Sequence, residues 1–597
     1  MRVFSYPQNV PPIPPAAAAA PGTLIQAVPD FLPFGSEAFA RARARHVPVF
    51  LVIGDTQEVF FEPSVAAQLS GRTVPVHLHP GERPDVELLC QRAGALFSGE
   101  GALPLCALMT ADALPFLAAP LPPPGFPADP SRLYVWLSQA DRRFVQNMPA
   151  CSAQAGEVIR SFRADPLQKP YTPHDAAHDL ARALLQIEDR QSGGFGGVKT
   201  PFACGLSFAQ HASARGDKSL GRAFSRAADA MISSSLLDPL DGGFFHATLT
   251  EDWRVFVPEK PLAVNALLAA LLLADGRRSE AVRTLDFLLS AFPLSGGGLS
   301  PAVCAPQDTY AFSSRQVCAA LGSENGLRAC RLLSLLHRDA PENPPVSPSR
   351  FSPVAESGAP SAGHGLHDDP PARFPVLPSA PTPEDAAFLR RIMPALLRAR
   401  AARSPQRPLP YVITEHCALA AAALARCGRR LGEARYIQAA QRAVTFLISQ
   451  PPAGHGQTVL PASLSPTGML QAQATCGASA ALSLAQLTLG SGEGMEEYAH
   501  SGLRLLSSAL HAFVRTDALV MHTPKDPASF FPRVPAIYDS ELPSPAATLV
   551  RCLRIADRLH QQAHYAEAIE AIWQAAAPAV RAQPLACAGL IDAMTEE

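Results

Sequence analysis

Clusters of glycine recur through the middle of this chain at intervals of about fifty residues, the spacing of a structural repeat. They read SGGFGG at 192–197, DGGFF at 241–245 and SGGGLS at 295–300. Pairs of apolar segments with helical spacing lie between them, for example 262–274 and 280–292. A helix pair cannot bury its apolar face alone, so such units stack against one another. The repeat therefore predicts either an open superhelix or a closed ring of helix pairs.

The length of 597 residues favours a small domain beside a large repeat-built one over a single ordinary core. Hydrophobic residues make up 47% of the chain, charged residues 17%, and the formal net charge is -2. With so small a net charge, the protein has no strong positive electrostatic field to attract nucleic acid or an anionic membrane. We therefore expect neither as a partner.

The first 27 residues are rich in Pro and Ala without periodicity, which predicts disorder. Pro21 follows five alanines and interrupts the apolar run that a signal peptide needs. The longest apolar helix, 262–274, is too short to span a bilayer core of about 30 Å. The twelve cysteines are widely spaced, without a zinc or Cys-x-x-Cys pattern. We expect a soluble, cytoplasmic protein with reduced thiols and with neither a metal nor a cofactor.

Residues 28–165 alternate between helix and strand signals, which predicts an α/β domain. Ser36 is placed to cap a helix that runs to Arg45, and the apolar run 47–53 predicts a buried strand. Further helices are predicted at 63–69 and 85–96, and further strands at 73–78, 103–109 and 115–117.

Residues 170–597 carry helical periodicity almost throughout. After the glycine clusters, helices are predicted at 384–403, 413–427, 434–448, 468–489, 496–514, 545–559 and 563–576. A Pro- and Ser-rich stretch at 341–383 predicts a disordered insertion. The helices suffice to close a ring of about six pairs.

A series of motifs in a fixed order resembles the spermatogenesis-associated thioredoxin-like family. The motifs are PDFLPFGSEAF at 29–39, VPVFLVIG at 47–54, ERPD at 82–85, LPL at 103–105, GGFGG at 193–197, DPLDGGFF at 238–245, WR at 253–254, EK at 259–260, NALL at 265–268 and PS at 543–544. The resemblance covers most of residues 28–575. It implies a multidomain chain, with a thioredoxin-like α/β domain followed by an (α/α)6 toroid of the six-hairpin glycosidase and sugar-epimerase type.

The thioredoxin-like domain departs from the family pattern at its reactive turn. The family carries Cys-x-x-Cys after the first buried strand, where this chain has Gly54 to Val59 without cysteine. Dithiol exchange needs two neighbouring sulfurs, so that activity is not expected. Cys106 remains as the candidate for a single-thiol role, with buried packing as the alternative. The resemblance also implies a cis bond between Leu103 and Pro104.

The toroid keeps some of the polar and aromatic residues that the resemblance places near its cavity. Asp241, Glu251, Glu259 and Lys260 are the candidate catalytic residues, as acid/base groups. The candidate ligand-binding residues are Phe195, Phe244, Phe245, Trp253 and Arg254.

Simpler interpretations of these residues are that the aromatic side chains pack between helix ends and that the adjacent Glu and Lys form an ion pair. Other family residues are replaced: SPAVCA stands at 300–305, and LPY and HC at 409–411 and 416–417.

The missing polar groups favour a diverged family member that binds a ligand, or acts as a scaffold, through the toroid cavity rather than catalysing a reaction. We expect a sugar or another small polar molecule as its ligand; the sequence names no protein partner. The first alternative is a carbohydrate-active enzyme with acidic residues at the toroid mouth. The second is a redox protein that works through one thiol.

Overall fold

The computed structural model describes residues 29–54, 57–123, 126, 128–167, 169–335, 373–377, 382–451, 459–465, 468–526, 529–560 and 563–596. The predicted disordered segment 1–27 lies outside these residues, as does most of the predicted insertion 341–383. Residues 373–377 of that insertion do belong to the fold, because Phe374 packs against Phe245 and Phe256.

Within the described residues, the α/β part contains one five-stranded sheet in the order β1-β3-β2-β4-β5. Its strands are β1 (Leu32–Pro33), β2 (Val49–Ile53), β3 (Val74–Leu78), β4 (Leu105–Met109) and β5 (Pro115–Pro120). β1, β3 and β2 run parallel, and β4 and β5 are antiparallel to their neighbours. Every residue of β2 is buried, as its continuous apolar run predicts.

Helices cover both faces of this sheet, and apolar clusters lie on each side of it. They are α1 (Ser36–Arg45), α2 (Pro63–Arg72), α3 (Pro84–Phe97), α4 (Pro130–Gln146) and α5 (Met148–Arg160). The prediction that Ser36 caps α1 is wrong: Gly35 is the capping residue and no side chain bonds there. The Leu103–Pro104 bond is cis, as predicted. Gly54 packs directly on Pro104, since a Cβ at Gly54 would lie 2.5 Å from the proline Cβ.

The helical part is a closed ring of antiparallel helix pairs. Within the described residues, its six inner helices are α7 (Ala203–Ala214), α9 (Leu262–Ala274), α14 (Thr414–Leu431), α16 (Cys476–Gly490), α18 (Pro545–His560) and α20 (Ala588–Thr595). Each inner helix contacts the next in this order, and α20 contacts α7. Their outer partners are α8 (Lys218–Ile232), α10 (Arg278–Ala291), α15 (Ala434–Ile448), α17 (Glu496–Phe513), α19 (Ala563–Ala582) and, for α20, α6 (Pro173–Ile187). The predicted (α/α)6 toroid is confirmed.

The sequence determines which helix of each pair lies inside. α9 and α16 are apolar almost all round, and nearly every residue in them is buried. α14 contains a run of alanines at 420–423, and small side chains allow its neighbours to approach closely. The outer helices bury one face only, as the six buried residues of α8 show.

Other elements decorate the ring. α11 (Ser314–Leu321), α12 (Ser323–Leu332) and α13 (Pro383–Arg403) form a separate apolar cluster between the second and third pairs. Short strands precede the inner helices: β6 (Glu259–Pro261), β7 (Ala302–Cys304), β8 (Arg407–Pro408), β9 (Val412–Ile413), β10 (Pro461–Ser465) and β11 (Gly468–Ala474). The predicted helix at 468–489 is therefore wrong over its first seven residues, which pair with β10 instead.

No helix in the described part of the chain is both long and apolar enough to cross a membrane. The cytoplasmic location and the domain boundaries at 28–165 and 170–597 stay predictions.

Candidate functional site

The glycine clusters form similar bridged turns at the end of successive outer helices. β-Bridges close these turns at Glu188–Phe195 after α6, at Leu237–Phe244 after α8 and at Pro293–Leu299 after α10. Each turn leads from an outer helix towards the next inner helix, so all three stand at one end of the ring. A fourth turn, bridged between Val514 and Val520 after α17, uses Ala518 at φ 64° instead of glycine. The sequence pattern missed it for that reason.

Asp241 and Lys260, both predicted as catalytic, meet in a closed ionic network. The Lys260 ammonium donates to Asp238 at 2.7 Å and to Asp241 at 2.7 and 2.9 Å, and Arg400 donates to both carboxylates. The Lys260 side chain is fully buried and lies under the rings of Phe245, Phe287 and Tyr310. Burial would raise the pKa of Asp238, but the charges of Arg400 and Lys260 outweigh it and lower the pKa. Every charge here has an opposite charge in contact, which favours a structural role.

Most of the predicted aromatic ligand-binding residues lie in the apolar core. Phe244 and Phe245 are fully buried, and Phe195 and Trp253 are nearly so. Trp253 fits against Gly194 and donates its indole N–H to the carbonyl of Ser192 at 2.8 Å. Their burial favours packing, and their role in binding stays a prediction.

Glu251 and Arg254 lie apart from these rings on the outside of the molecule. Both are exposed, and Arg254 pairs with Asp252. The structure therefore does not bring them together with Lys260 and Asp241.

A second group of charged residues collects where the inner helices begin. His246 and Glu259 precede α9 and are joined by a backbone hydrogen bond of 2.8 Å. Glu415 and His416 lie in the first turn of α14, and Glu541 lies in the loop before α18. His246 Nε2 pairs with the Glu541 carboxylate. We call the residues His246, Glu259, Glu415, His416 and Glu541 the mouth cluster.

The mouth cluster holds its imidazoles in different protonation states. Burial would lower the pKa of His246, but the charge of Glu541, its hydrogen bond and the charge of Glu259 raise it to about 9. Burial lowers the pKa of His416 to about 4, against the opposing charge of Glu541. At neutral pH, His246 is therefore an imidazolium and His416 a neutral imidazole.

The carboxyl groups of the mouth cluster also differ. Burial would raise the pKa of Glu541, but the charge of His246 outweighs it and lowers the pKa. Yet 46% of the Glu541 side chain is exposed, so this carboxylate reaches solvent while it is paired with His246. Burial raises the pKa of Glu415 to about 7. Acid and base forms thus coexist near neutrality, the condition for proton transfer.

Sequence reasoning selected Glu259 but missed the other four members of the mouth cluster. They come from positions 246, 415, 416 and 541, so only the closure of the ring brings them together. One local signal exists: Glu415 and His416 directly precede a run of small apolar residues. Ionisable side chains at the start of a helix that is buried almost all round need polar partners.

The single-thiol candidate, Cys106, lies on β4 with 2% of its surface exposed. Burial raises the pKa of its thiol to about 12, so the reactive thiolate is scarce at neutral pH. All twelve cysteines are unpaired.

At the opposite ends of the inner helices, His211, Asp592 and Glu596 bring three groups of metal-ligating type together. Asp592 is fully buried and is bonded by His211 at 2.8 Å, Ser207 at 2.7 Å and Arg551 at 2.8 Å. These bonds join α7 and α18 to α20, so the group acts as a clamp. The expectation of no metal stays a prediction.

Comparison with known proteins identifies the N-terminal part. Residues 25–163 match the family Thioredox_DsbH, described as a protein of unknown function, DUF255. The match covers less than a quarter of the chain and agrees with the thioredoxin-like fold of its N-terminal part. An uncharacterized protein of Caenorhabditis elegans, B0495.5, is 23% identical over 266 residues, which cover 40% of this chain and 35% of the relative. The match thus spans about a third of that relative. The spermatogenesis-associated assignment stays a prediction.

Two solved structures with a similar backbone fold are named as sugar-processing enzymes. D-mannose isomerase is 8% identical, with a TM-score of 0.42 over 68% of this chain and 85% of its own. Cellobiose 2-epimerase from Spirochaeta thermophila is 16% identical, with a TM-score of 0.39 over 68% of this chain and 86% of its own. Similarity at this level carries no argument about function, and the toroid is defined here by its own ring of helix contacts.

Proposed function

We propose that this chain binds a small, neutral, hydroxyl-rich molecule such as a sugar in the mouth of the toroid, and that its thioredoxin-like domain works without dithiol exchange. The observation that carries this proposal is the mouth cluster itself. Glu541 is paired with His246 and still 46% exposed, while Glu415 is nearly buried. Polar groups with unused hydrogen-bonding capacity inside a cavity are what a polar ligand needs.

The charges of the mouth cluster favour a neutral ligand over an anionic one. Glu259 and Glu541 both act on the one imidazolium, His246, and Glu415 precedes His416 in the first turn of α14. Lys260 next to Glu259 is held by Asp238 and Asp241 and offers no charge to the mouth. A phosphate or carboxylate would meet like charges there, whereas hydroxyl groups would donate to the carboxylates.

The proposal is tested by calorimetric titration of the full chain with D-mannose, D-glucose and cellobiose, and with glucose 6-phosphate as the anionic comparison. We expect at least one neutral sugar to bind, and the sugar phosphate not to bind. Glu541→Gln should weaken binding, since it removes the charge that holds His246. Glu324→Gln, an exposed change on α12 outside the ring, is the matched control. Preferential binding of the phosphate would overturn the proposal.

A second candidate function is acid–base catalysis on the bound molecule. The observation that favours it is the pairing of an imidazolium, His246, with a neutral imidazole, His416, and with Glu415, whose pKa is about 7. A donor and an acceptor of protons on one ligand are the requirement for isomerising a sugar or cleaving a glycosidic bond.

Incubation with each free sugar in D2O, followed by proton NMR, tests for exchange of a carbon-bound proton. A parallel assay of released reducing ends from glycosides tests for hydrolysis. Activity should disappear in His416→Ala and persist in Glu324→Gln. If a sugar binds and both assays stay silent, the chain is a binding protein, as the sequence predicts.

The single-thiol redox alternative has the weakest support. Cys106 is buried, and burial raises the pKa of its thiol to about 12. A redox role would need the β4 strand to open.

A further inference from the structure

One segment of the thioredoxin-like domain, residues 79–87, lies over the start of α14. The ring of His79 lies 4.6 Å from that of Tyr411, measured between ring centres. A Cβ at Gly81 would lie 3.1 Å from His416 Nε2 and 3.1 Å from Ile413 Cγ2. We call residues 79–87 the roof segment. It touches the toroid where the mouth cluster stands.

A further contact ties the roof segment to the strand beside the mouth. Ser463 on β10 donates its hydroxyl to Glu82 at 3.3 Å, and both residues are buried. Burial raises the pKa of Glu87 to about 8, against the hydrogen bond from Gly81, and the charges of Asp85, Glu415 and Glu82 raise it further. The carboxyl of Glu87 is therefore close enough to Glu415 for the charge of Glu415 to act on it.

The roof segment is held in one shape from within. Gly81 N–H donates to Glu87 at 2.5 Å, and His79 N–H donates to the Glu82 carboxylate at 3.0 Å. Arg83 forms a buried ion pair with Asp85 through bonds of 2.9 and 2.6 Å. A segment fixed by this many internal bonds positions its neighbours instead of adapting to them.

Beneath the roof segment, the Glu415 carboxylate is packed against the start of α16. Its side chain is about nine-tenths buried, and within the described part of the chain no hydrogen bond to the carboxylate is found. Gly477 makes room for it, since a Cβ there would lie 2.0 Å from Glu415 Oε2. Burial of a carboxyl is costly, and a hydrogen bond from a ligand hydroxyl would offset part of that cost.

We infer that the ligand site of the toroid is shared between the domains: the roof segment of the thioredoxin-like domain closes the mouth and positions His416 and Glu415 for a neutral, hydroxyl-rich ligand. This inference rests on the proposed function for the ligand, but its contacts stand independently. The thioredoxin-like domain then serves as a binding wall that needs no cysteine. Gly81 and Glu87 are positioning residues.

The test compares Gly81→Ala with Gly99→Ala in the full chain. Both glycines have positive φ, 87° and 81°, so the backbone penalty of the substitutions is similar. A Cβ at Gly99 meets nothing within 4 Å, whereas at Gly81 it meets His416. The two variants therefore differ in the contact with the mouth.

The readout is acylation of His416 by diethylpyrocarbonate, which attacks neutral imidazole, followed by mass spectrometry of the peptides. In the wild type His416 should react slowly, because the roof segment covers it. Gly81→Ala should raise its rate several-fold, and Gly99→Ala should leave it as in the wild type. An unchanged rate in a folded Gly81→Ala protein would overturn the inference.

Glu87→Ala and Glu87→Gln give a second test if Gly81→Ala does not fold. Alanine removes the acceptor for Gly81 N–H and should expose His416, whereas glutamine keeps a carbonyl oxygen there and should restore protection. Equal rates in these two variants would contradict a positioning role.

Calorimetry with D-mannose, D-glucose and cellobiose separates the two proposals. If Gly81→Ala speeds the acylation of His416 but no sugar binds to the protein, the proposed function is wrong and the role of the roof segment is supported. If Gly81→Ala binds sugar and is acylated at His416 as the wild type is, the role of the roof segment is contradicted and the proposed function is supported.

Discussion

Two clusters of charge lie side by side in the toroid and differ in how completely their members are paired. In the network around Lys260, each carboxylate and each cation meets an opposite charge. In the mouth cluster, 46% of the Glu541 side chain is exposed, and no hydrogen bond to the Glu415 carboxylate is found among the described residues. Glu259 and Lys260 are neighbours on β6, and successive residues of a strand point to opposite faces. Chemical type alone therefore does not separate a structural charge from one available to a ligand.

The largest effect should follow from breaking the closed network. Lys260→Met leaves Asp238 and Asp241 in a buried site with Arg400 as the cation that contacts both of them. We expect a loss of about 3–5 kcal/mol in the free energy of unfolding, the cost of leaving a buried charge without its partner. Urea unfolding measures it, with Lys218→Met, at the start of α8, as the control. A loss under about 1 kcal/mol would mean that the ionic network around Lys260 does not contribute substantially to the stability of the fold.

The next largest effect on the free energy of unfolding is expected at Glu415, where the substitution stabilises the protein. Its folded pKa, about 7, is raised above the ordinary value of 4.5 by burial. The stability that it contributes is complete below the ordinary pKa and is lost as the pH rises through 7. Glu415→Gln should therefore stabilise the protein at pH 9 relative to pH 5, by on the order of 1–3 kcal/mol. Thermal unfolding of both proteins across this range measures it, and parallel pH profiles would contradict the burial of this carboxyl.

A smaller effect is expected at His246. Its folded pKa of about 9 is raised above 6.5 by Glu541, so its contribution is complete below pH 6.5 and lost as the pH rises through 9. Glu541→Gln should flatten this dependence between pH 6.5 and 9, by about 1 kcal/mol because Glu541 is 46% exposed. If Glu541→Gln follows the wild-type profile throughout, the imidazolium is not held by that carboxylate.

The smallest expected effect is in redox chemistry. The full chain should not reduce insulin disulfides, because the turn from Gly54 to Val59 contains no cysteine. Cys106→Ser should leave this null result unchanged and alter only stability slightly. Activity that is lost in Cys106→Ser would restore the single-thiol alternative.

The sequence predicted the ring better than the site, for physical reasons. The bounds of α9 and α15 agree with their predicted ranges, because apolar periodicity is a local property. At 468–474 the apolar pattern was assigned to a helix and forms a strand, since pairing with β10 decides the outcome. Lys260 and Asp241 were selected as catalytic candidates, a role that stays a prediction, and their complete pairing depends on Arg400, 159 residues away from Asp241. His246 and Glu541 lie still further apart, and no local pattern announces their contact.

The clamp around Asp592 has a consequence for how the chain folds. It joins residues separated by 381 and 385 positions, since Asp592 bonds His211 and Ser207. Contacts of such long sequence separation form late, because the intervening chain must first be ordered. Until these contacts form, the apolar faces of α7 and α20 are exposed to solvent, and exposed apolar surface promotes aggregation. A weakened clamp should therefore slow refolding and lower the yield of native protein before it changes any property of the finished mouth.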